Sequence, residues 1–501
     1  MALPFTAALR LNARRRPRHR AVCTEHEILS YQDLWGRVSN LMHALEASGV
    51  RPGTHVGLLP SNGVPTLVTM FAVTGMGAIP VPISSLLSDE DVGYILDAAD
   101  VRVMILQADR FQRAAAVERV ATRLCLGCEP VAPGWDALDP LMAVAPKDEP
   151  DLAHAHQRIL SHTSGTTGRP KLPLRGEWAF EERAIEQGFC DADRFLAALT
   201  FSTGVGLTYT LLPLYLGATV HMLADWDPER AMAVIDAEKI TATLMLPAML
   251  RQMMNSPGFS AFDGRSLRLI QSGAGVVEAD IRRVYHDKLG PVLSIYAAST
   301  EVGPIANLKG DDVVRYAHGN CVGQPFFGVE VKLLDDSMNE VPVGEVGEIC
   351  ARSTTQFECY YGEAELTAGT RRGDYLSVGD LGRFDAEGYL YFVGRKADVL
   401  RIGERDVYAT VVEEVLMAHA AVAEVACVDV SVEGGSGQLW AAVVLRSDCS
   451  AEQLAEHCAR HLPDYSRPQR YVVVDALPRT ATSRVIRGKL KEQLERMNAG
   501  A

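Results

Sequence analysis

The sequence predicts an α/β protein. A large N-terminal domain (residues 1–397) carries parallel-sheet α/β subdomains and a small β-rich subdomain, and a small α+β C-terminal domain (398–501) follows. Three observations lead there. A chain of 501 residues exceeds what one hydrophobic core supports. From residue 28 to 107, apolar helical patterns alternate with short Val/Ile/Leu runs, the rhythm of βαβ units with parallel strands. From about residue 320 the texture changes to short alternating strands, and a new unit begins after Gly394-Arg395-Lys396-Ala397-Asp398.

In chain order, Phe5, Leu9 and Leu11 mark an amphipathic first helix, followed by a basic turn at Arg14, Arg15, Arg16, Arg18 and Arg20. Residues 38–47 read as a helix, 55–59 as a strand, 65–74 as a helix, and 78–82 and 101–106 as strands. The stretch 129–153, rich in Pro, Ala and Asp, reads as a surface connection. Strands are expected again at 197–200, 218–222, 242–246 and 267–272, and then at 329–334, 347–352 and 388–393. The last unit reads helix 411–419, strand 422–428, strand 439–445, helix 451–461, strand 470–474, enough for a small domain.

Composition closes several doors. The net charge of −14 argues against a nucleic-acid partner, which wants a basic face. The basic N-terminal turn runs into Ala21-Val22-Cys23-Thr24-Glu25 rather than an apolar stretch, so no secretory signal is read there. Residues 54–88 and 195–224 lack Asp, Glu, Lys and Arg, long enough for a membrane span. Both are broken by Pro, Gly, Ser and Thr, so buried strands and helices of an α/β core are expected instead of a span. Ten cysteines without a framework read as reduced thiols of a cytoplasmic protein.

The chemistry concentrates at Ser161-His162-Thr163-Ser164-Gly165-Thr166-Thr167-Gly168-Arg169-Pro170-Lys171. Glycines let the backbone come close to a ligand. Hydroxyls and successive N–H groups form an anion-binding concavity, and Lys171 adds a positive charge. The upstream segment ends apolar, so the loop should leave a strand. This is not the P-loop, in which the Lys opens a helix; here Lys171 follows a Pro.

The run resembles the phosphate loop of the adenylate-forming superfamily, which includes acyl-CoA synthetases, luciferases and the adenylation domains of peptide synthetases. Further segments match in the required order, so the resemblance covers nearly the whole chain. Gln271-Ser272-Gly273-Ala274-Gly275 is similar to the glycine segment walling the acyl and adenine pocket. Tyr296-Ala297-Ala298-Ser299-Thr300-Glu301 is similar to the segment in which the Thr touches the α-phosphate and the Glu binds Mg²⁺. Gly379-Asp380 and Arg395 match the pair that holds the ribose, and Asp398 falls on the hinge about which the small domain swings. The resemblance therefore implies Thr163 to Gly168, Lys171, Gly273, Ala274, Tyr296, Ala297, Ala298, Thr300, Asp380 and Arg395 around the nucleotide. It also implies Thr203, Gly275 and Tyr296 around the acid, and Glu301 on the metal.

The chain also departs from the pattern. The family's catalytic Lys near the C-terminus is Arg484, and the Gly before it is Ser483. An Arg keeps the charge but presents a longer planar fork. The usual aromatic–Gly step before Thr300-Glu301 reads Ala297-Ala298, and Val378 stands in the Thr place before Gly379. Thr203 stands where many acyl-CoA ligases carry His, and the Gly-Gly after the hinge reads Gly403-Glu404. The implied activity is ATP- and Mg²⁺-dependent activation of a small organic acid with pyrophosphate release, then transfer to CoA. The departures keep two alternatives open. One is a non-CoA acceptor (an amine, or nitrite activation in a diazotase); the other is a nucleotide-binding protein with impaired catalysis. The expected assembly is a monomer or homodimer.

Overall fold

The computed structural model describes residues 3–129, 133–146, 148–163, 169–317, 319–402, 405–430, 437–479 and 485–499. They form two compact units. The first comprises the chain up to Ala317 with Val322–Glu330 and Ala351–Leu376; the second comprises His318–Cys321, Val331–Cys350 and everything from Ser377 on.

The first unit is mixed α/β, with two largely parallel sheets. In one, the strands Ile79–Pro82, His55–Leu58, Val103–Gln107, Thr122–Leu126 and Asp136–Ala137 lie side by side, all parallel. In the other, Arg20–Cys23, Thr219–Met222, Arg194–Ala197, Ala242–Leu244, Leu269–Gly273 and Leu293–Ser299 are parallel neighbours in that order. Gly303–Lys309 turns back antiparallel beside the last of these.

The charge-free stretches resolve as the α/β reading requires. Residues 54–88 become strand His55–Leu58, helix Val64–Gly75 and strand Ile79–Pro82. Residues 195–224 become the end of one strand, helix Gly204–Leu216 and strand Thr219–Met222. Both helices are buried almost all round, so they need no polar face. Among the described residues no helix is long and apolar enough to cross a membrane.

Three sequence expectations need correcting. Leu11 is 45% exposed; the buried face of helix Phe5–Arg15 is Phe5, Ala8, Leu9, Asn12 and Ala13, the set a 3.6-residue period selects. Asn12 is buried because its amide donates to Leu214 O and Tyr215 O at 3.0 Å each, satisfying carbonyls at another helix's C-terminal end. The strand expected at 197–200 lies at Arg194–Ala197, and the chain then turns into the cap of the next helix. The stretch 129–153 is more than a connection: Asp136–Ala137 joins the smaller sheet, with Trp135 and Leu138 buried beside it.

Strands Glu330–Leu334, Gly347–Arg352, Tyr375–Phe384 and Leu390–Arg395, most of whose residues belong to the second unit, are neighbours in that order. Near its C-terminal end a three-stranded sheet (Val422–Val430, Gln438–Leu445, Arg470–Val473) is covered on both faces. Val412, Leu416, Leu454 and Cys458 pack on the Val425 and Cys427 side. Leu490 and Leu494 pack on the Val428 and Trp440 side. The period-2 alternation of strand 422–430 divides these residues between the two faces.

Candidate active site

The phosphate-loop segment is the connection of a β-hairpin. Ile159–Leu160 pairs antiparallel with Pro173–Arg175. Ser161 N donates to Pro173 O at 3.1 Å and Thr163 N to Lys171 O at 3.0 Å, so the ladder continues to the ends of the loop. The loop thus leaves a strand, as its apolar approach suggested. Ser164, Gly165, Thr166, Thr167 and Gly168 lie outside the described residues. His162 is tied in from the side: its Nε2 accepts from Ser84 N at 3.1 Å, and burial holds its pKa below the ordinary imidazole value.

Glu301 sits in the turn joining Leu293–Ser299 to Gly303–Lys309. Its backbone carbonyl accepts from Phe357 N at 2.7 Å, and its Oε1 accepts from the Tyr360 hydroxyl at 2.5 Å. The Lys171 ammonium lies 5.3 Å from the centre of the same tyrosine ring. Tyr360 therefore links the loop's cation to the carboxylate 130 residues later. Sequence reasoning missed it, because a Tyr after a Cys in a two-residue strand carries no pattern. Only the pairing of Cys359–Tyr360 with Pro173–Arg175 brings it there.

Behind Glu301 lies a buried cation. Arg175 Nη2 donates to Glu177 O at 3.1 Å and Thr355 O at 3.2 Å, and its guanidinium lies 5.0 Å from the Trp178 ring. Burial pulls its pKa down to about 10; the nearby Arg183 charge adds to this, and Glu301 opposes it. Gly303, with φ +89°, leaves room for this packing: a Cβ there would come within 2.9 Å of Thr355 Oγ1 and 3.1 Å of Arg175 Nη2.

Gly273 ends the strand Leu269–Gly273, and Ala274 follows in the left-handed region at φ +60°. Ala274 and Gly275 are exposed. The register sets Gly273 beside Tyr296, and a Cβ on Gly273 would meet Tyr296 O at 2.6 Å and ring Cε1 at 2.8 Å. Tyr296 is itself buried, 5.8 Å from the Tyr209 ring, with the Arg183 guanidinium 5.9 Å from its centre. Ala297 is half-buried and Ala298 exposed. Thr203 is exposed at the start of helix Gly204–Leu216, where its Oγ1 caps Gly206 N at 3.1 Å. Thr300 is half-buried beside Glu301.

The second unit carries the other predicted group. Asp380 and Arg395 face each other across the Tyr375–Phe384 and Leu390–Arg395 pair, with Nε to Oδ1 at 3.3 Å. The sequence separates them by fifteen residues, and the hairpin register makes them direct neighbours. Asp398 closes the one-turn helix Lys396–Asp398. Arg484 lies outside the described residues, as do Ser483, Gly403 and Glu404. Among the described residues on either side of Arg484, Arg479 bridges Val485 and Ile486 N donates to Pro478 O at 2.8 Å. Arg487, next along, donates to Glu413 through both terminal nitrogens (2.5 and 3.0 Å) and to Cys427 O at 2.9 Å, which ties the start of the last helix to the sheet.

Among the described residues no group of three or more His, Cys, Asp and Glu is placed to hold a metal ion. A single carboxylate with one oxygen already held suits Mg²⁺, which keeps waters and takes phosphate oxygens for the rest of its shell. Glu301 fits that requirement.

The AMP-binding enzyme family model matches residues 9–361, and the AMP-binding enzyme C-terminal domain matches 411–484. The chain belongs to this family, the adenylate-forming enzymes. It is an AMP-forming ligase by that membership. It is similar to the indoleacetate–CoA ligase of Aromatoleum aromaticum, with 29% identity over 487 residues, 93% of this chain and 94% of that protein. It is also similar to a 2-succinylbenzoate–CoA ligase of Bacillus cereus, with 26% identity covering 96% and 97%. Among solved structures, the amide bond synthetase McbA from Marinactinospora thermotolerans superposes with a TM-score of 0.89 at 27% identity, covering 98% of this chain and 100% of that one.

Proposed function

We propose that the chain activates a carboxylic acid with ATP as an acyl-adenylate, releases pyrophosphate, and transfers the acyl group to CoA. The observation that carries this reading is the Lys171–Tyr360–Glu301 linkage, which joins a phosphate-loop cation to a carboxylate suited to Mg²⁺. In this reading the acid's oxygen attacks the α-phosphate. The bond from that phosphorus to the bridging oxygen breaks, and pyrophosphate leaves with the electron pair. Thr163 to Lys171 hold the departing phosphates. Glu301 would hold Mg²⁺, which neutralises charge on the phosphate oxygens. Thr300 touches the α-phosphate, Asp380 and Arg395 orient the ribose, and Arg484 bridges the carboxylate and the α-phosphate. Positioning and charge neutralisation supply most of the acceleration. Rotation about Asp398 then opens the way for the CoA thiol, which displaces AMP.

A second reading keeps the first step and replaces CoA by an amine. Two observations favour it: the likeness to an amide bond synthetase over almost the whole chain, and the departures at Thr203, Glu404 and Arg484. The test is pyrophosphate release from a panel of acids with CoA, with amines and with neither, products being identified by mass. Acid-dependent release with a CoA thioester as product supports the main reading. Amide formed in the absence of CoA, and no thioester in its presence, replaces it with the second.

A further inference from the structure

Arg175 ends the second arm of the phosphate-loop hairpin and is 6% exposed. Its side-chain hydrogen bonds go to backbone carbonyls, its Nε is buried without a partner, and no carboxylate pairs with it among the described residues. Arg183, also buried, is likewise held by uncharged groups: its Nη1 donates to Tyr209 OH at 2.9 Å and its Nε to Trp178 O at 3.3 Å. Trp178 meets both arginines, one through its ring and the other through its carbonyl. Taking a charge out of water without a counter-ion is costly, and a second like charge nearby adds to the cost. An apolar side chain of similar size in such a place is often as stable or more so. Stability therefore does not explain why position 175 is an arginine.

What Arg175 holds does explain it. Residues 353–357 cradle the turn that carries Glu301. Phe357 N donates to Glu301 O at 2.7 Å, and the Ser353 and Thr355 hydroxyls donate to Val302 O at 2.9 and 3.3 Å. The cradle is fixed in turn to the strand Pro173–Arg175. Glu358 N donates to Leu174 O at 2.8 Å, and Tyr360 pairs with Pro173. To these main-chain contacts Arg175 adds a charge-assisted bond from Nη2 to Thr355 O at 3.2 Å. Thr355 and Phe357 are buried, so water does not replace that bond when it is lost. Lys171 stands on the same arm of the hairpin as Arg175. Any slip of the cradle along this arm moves Glu301 relative to Lys171.

Resting on the adenylation reading above, we propose that Arg175 is a positioning residue for the first step: its guanidinium clamps the 353–357 cradle, and through it the Glu301 turn, at a fixed distance from Lys171. Arg175 itself touches neither metal nor phosphate. It acts through Glu301, as the outer partners of metal ligands commonly do. The buried charge lowers stability and in return presents Mg²⁺·ATP with a carboxylate and a cation already set against each other.

The test compares the wild type with Arg175→Met, which fills the space without charge, and Arg175→Lys, which keeps the charge without the planar fork. Three quantities are read: the thermal midpoint, the calorimetric Kd for Mg²⁺·ATP without any acid, and the Mg²⁺ dependence of pyrophosphate release with the best acid of a broad panel. Arg175→Met should keep or raise the midpoint, because an unpaired buried charge is removed. It should weaken Mg²⁺·ATP binding about tenfold and raise the Mg²⁺ concentration for half-maximal release by a similar factor, with KM for the acid within about threefold. Arg175→Lys should fall between, about two- to fivefold weaker than wild type in both. Wild-type Kd and Mg²⁺ dependence in both variants, alongside vigorous pyrophosphate release, overturn the inference and leave adenylation standing. A midpoint lowered by several degrees, with Kd and acid KM worsened alike, makes Arg175 a structural residue and overturns it too. Should Arg175→Met yield no folded protein, Arg175→Lys decides alone: the intermediate loss at an unchanged midpoint supports the inference, and no loss overturns it. No acid-dependent release from the wild type with any acid of the panel overturns the adenylation reading, and this inference falls with it.

Discussion

At the scale of single residues, the candidate site turns on a side chain that belongs to no motif. Tyr360 offers a ring to Lys171 and a hydroxyl to Glu301, so it joins a cation and an anion that act on the same phosphates in the proposed reading. Glu301→Gln should lower the rate of pyrophosphate release by about 10²–10³-fold, the usual cost of one charge-stabilising group, with little change in thermal stability. Tyr360→Phe keeps the ring and loses one charge-assisted hydrogen bond. It should raise the Mg²⁺ concentration for half-maximal rate by about tenfold, read from rates across a Mg²⁺ titration. If Tyr360→Phe leaves that dependence untouched, the hydroxyl has no part in holding the carboxylate for the metal. The carboxylate, the loop Lys and the Asp–Arg pair were legible in the sequence, because each is a chemically marked residue in a spaced motif. Tyr360 was not, since its meaning comes only from what surrounds it.

At the scale of elements, two tight contacts can be tested directly. Helix Gly204–Leu216 starts against a turn so closely that a Cβ on Gly206 would lie 2.0 Å from Thr200 O. Gly206→Ala must push backbone against backbone and should cost about 3 kcal/mol or more, measured by denaturant unfolding. Thr203 would be displaced with it, because its hydroxyl caps the Gly206 amide. Asn12→Ala removes the side-chain hydrogen bonds to Leu214 O and Tyr215 O and should cost about 1–3 kcal/mol. Many strands of the α/β core were readable from hydrophobic period, with ends shifted by up to three residues, while the helix read at 38–47 starts seven residues earlier, at Tyr31. The errors have physical causes. Leu11 sits off the buried stripe despite being apolar, and Asp136–Ala137 becomes a strand because a sheet edge was available to it.

At the scale of the whole molecule, buried histidines set a pH limit on stability. His221, on strand Thr219–Met222, is 4% exposed, and burial pushes its pKa from the ordinary 6.5 down to about 4, with Arg194 adding to the shift and Glu238 opposing it. Above pH 6.5 the imidazole is neutral in folded and unfolded chains alike, and its contribution is fully present. As pH falls from 6.5 toward 4, the unfolded chain takes up a proton that the folded chain refuses, so stability drops by at most about 1.4 kcal/mol per pH unit from this group. His156 and His162 are shifted in the same direction by burial. His221→Gln should therefore flatten, without abolishing, the fall in unfolding free energy across that window. Parallel slopes for variant and wild type would show that His221 titrates normally.

By itself the sequence determined the α/β class, the chain order of the nucleotide motifs, and the charged groups available for phosphate, metal and ribose. Those are local properties, written in hydrophobic period and in short runs of glycine, hydroxyl and charge. Only tertiary structure decided that Asp380 and Arg395 are direct cross-strand neighbours, that one tyrosine joins Lys171 to Glu301, and that Arg175 is buried without a carboxylate partner among the described residues. Register and burial are set by packing between distant segments, and whether a polar group is satisfied depends on every neighbour that packing brings to it.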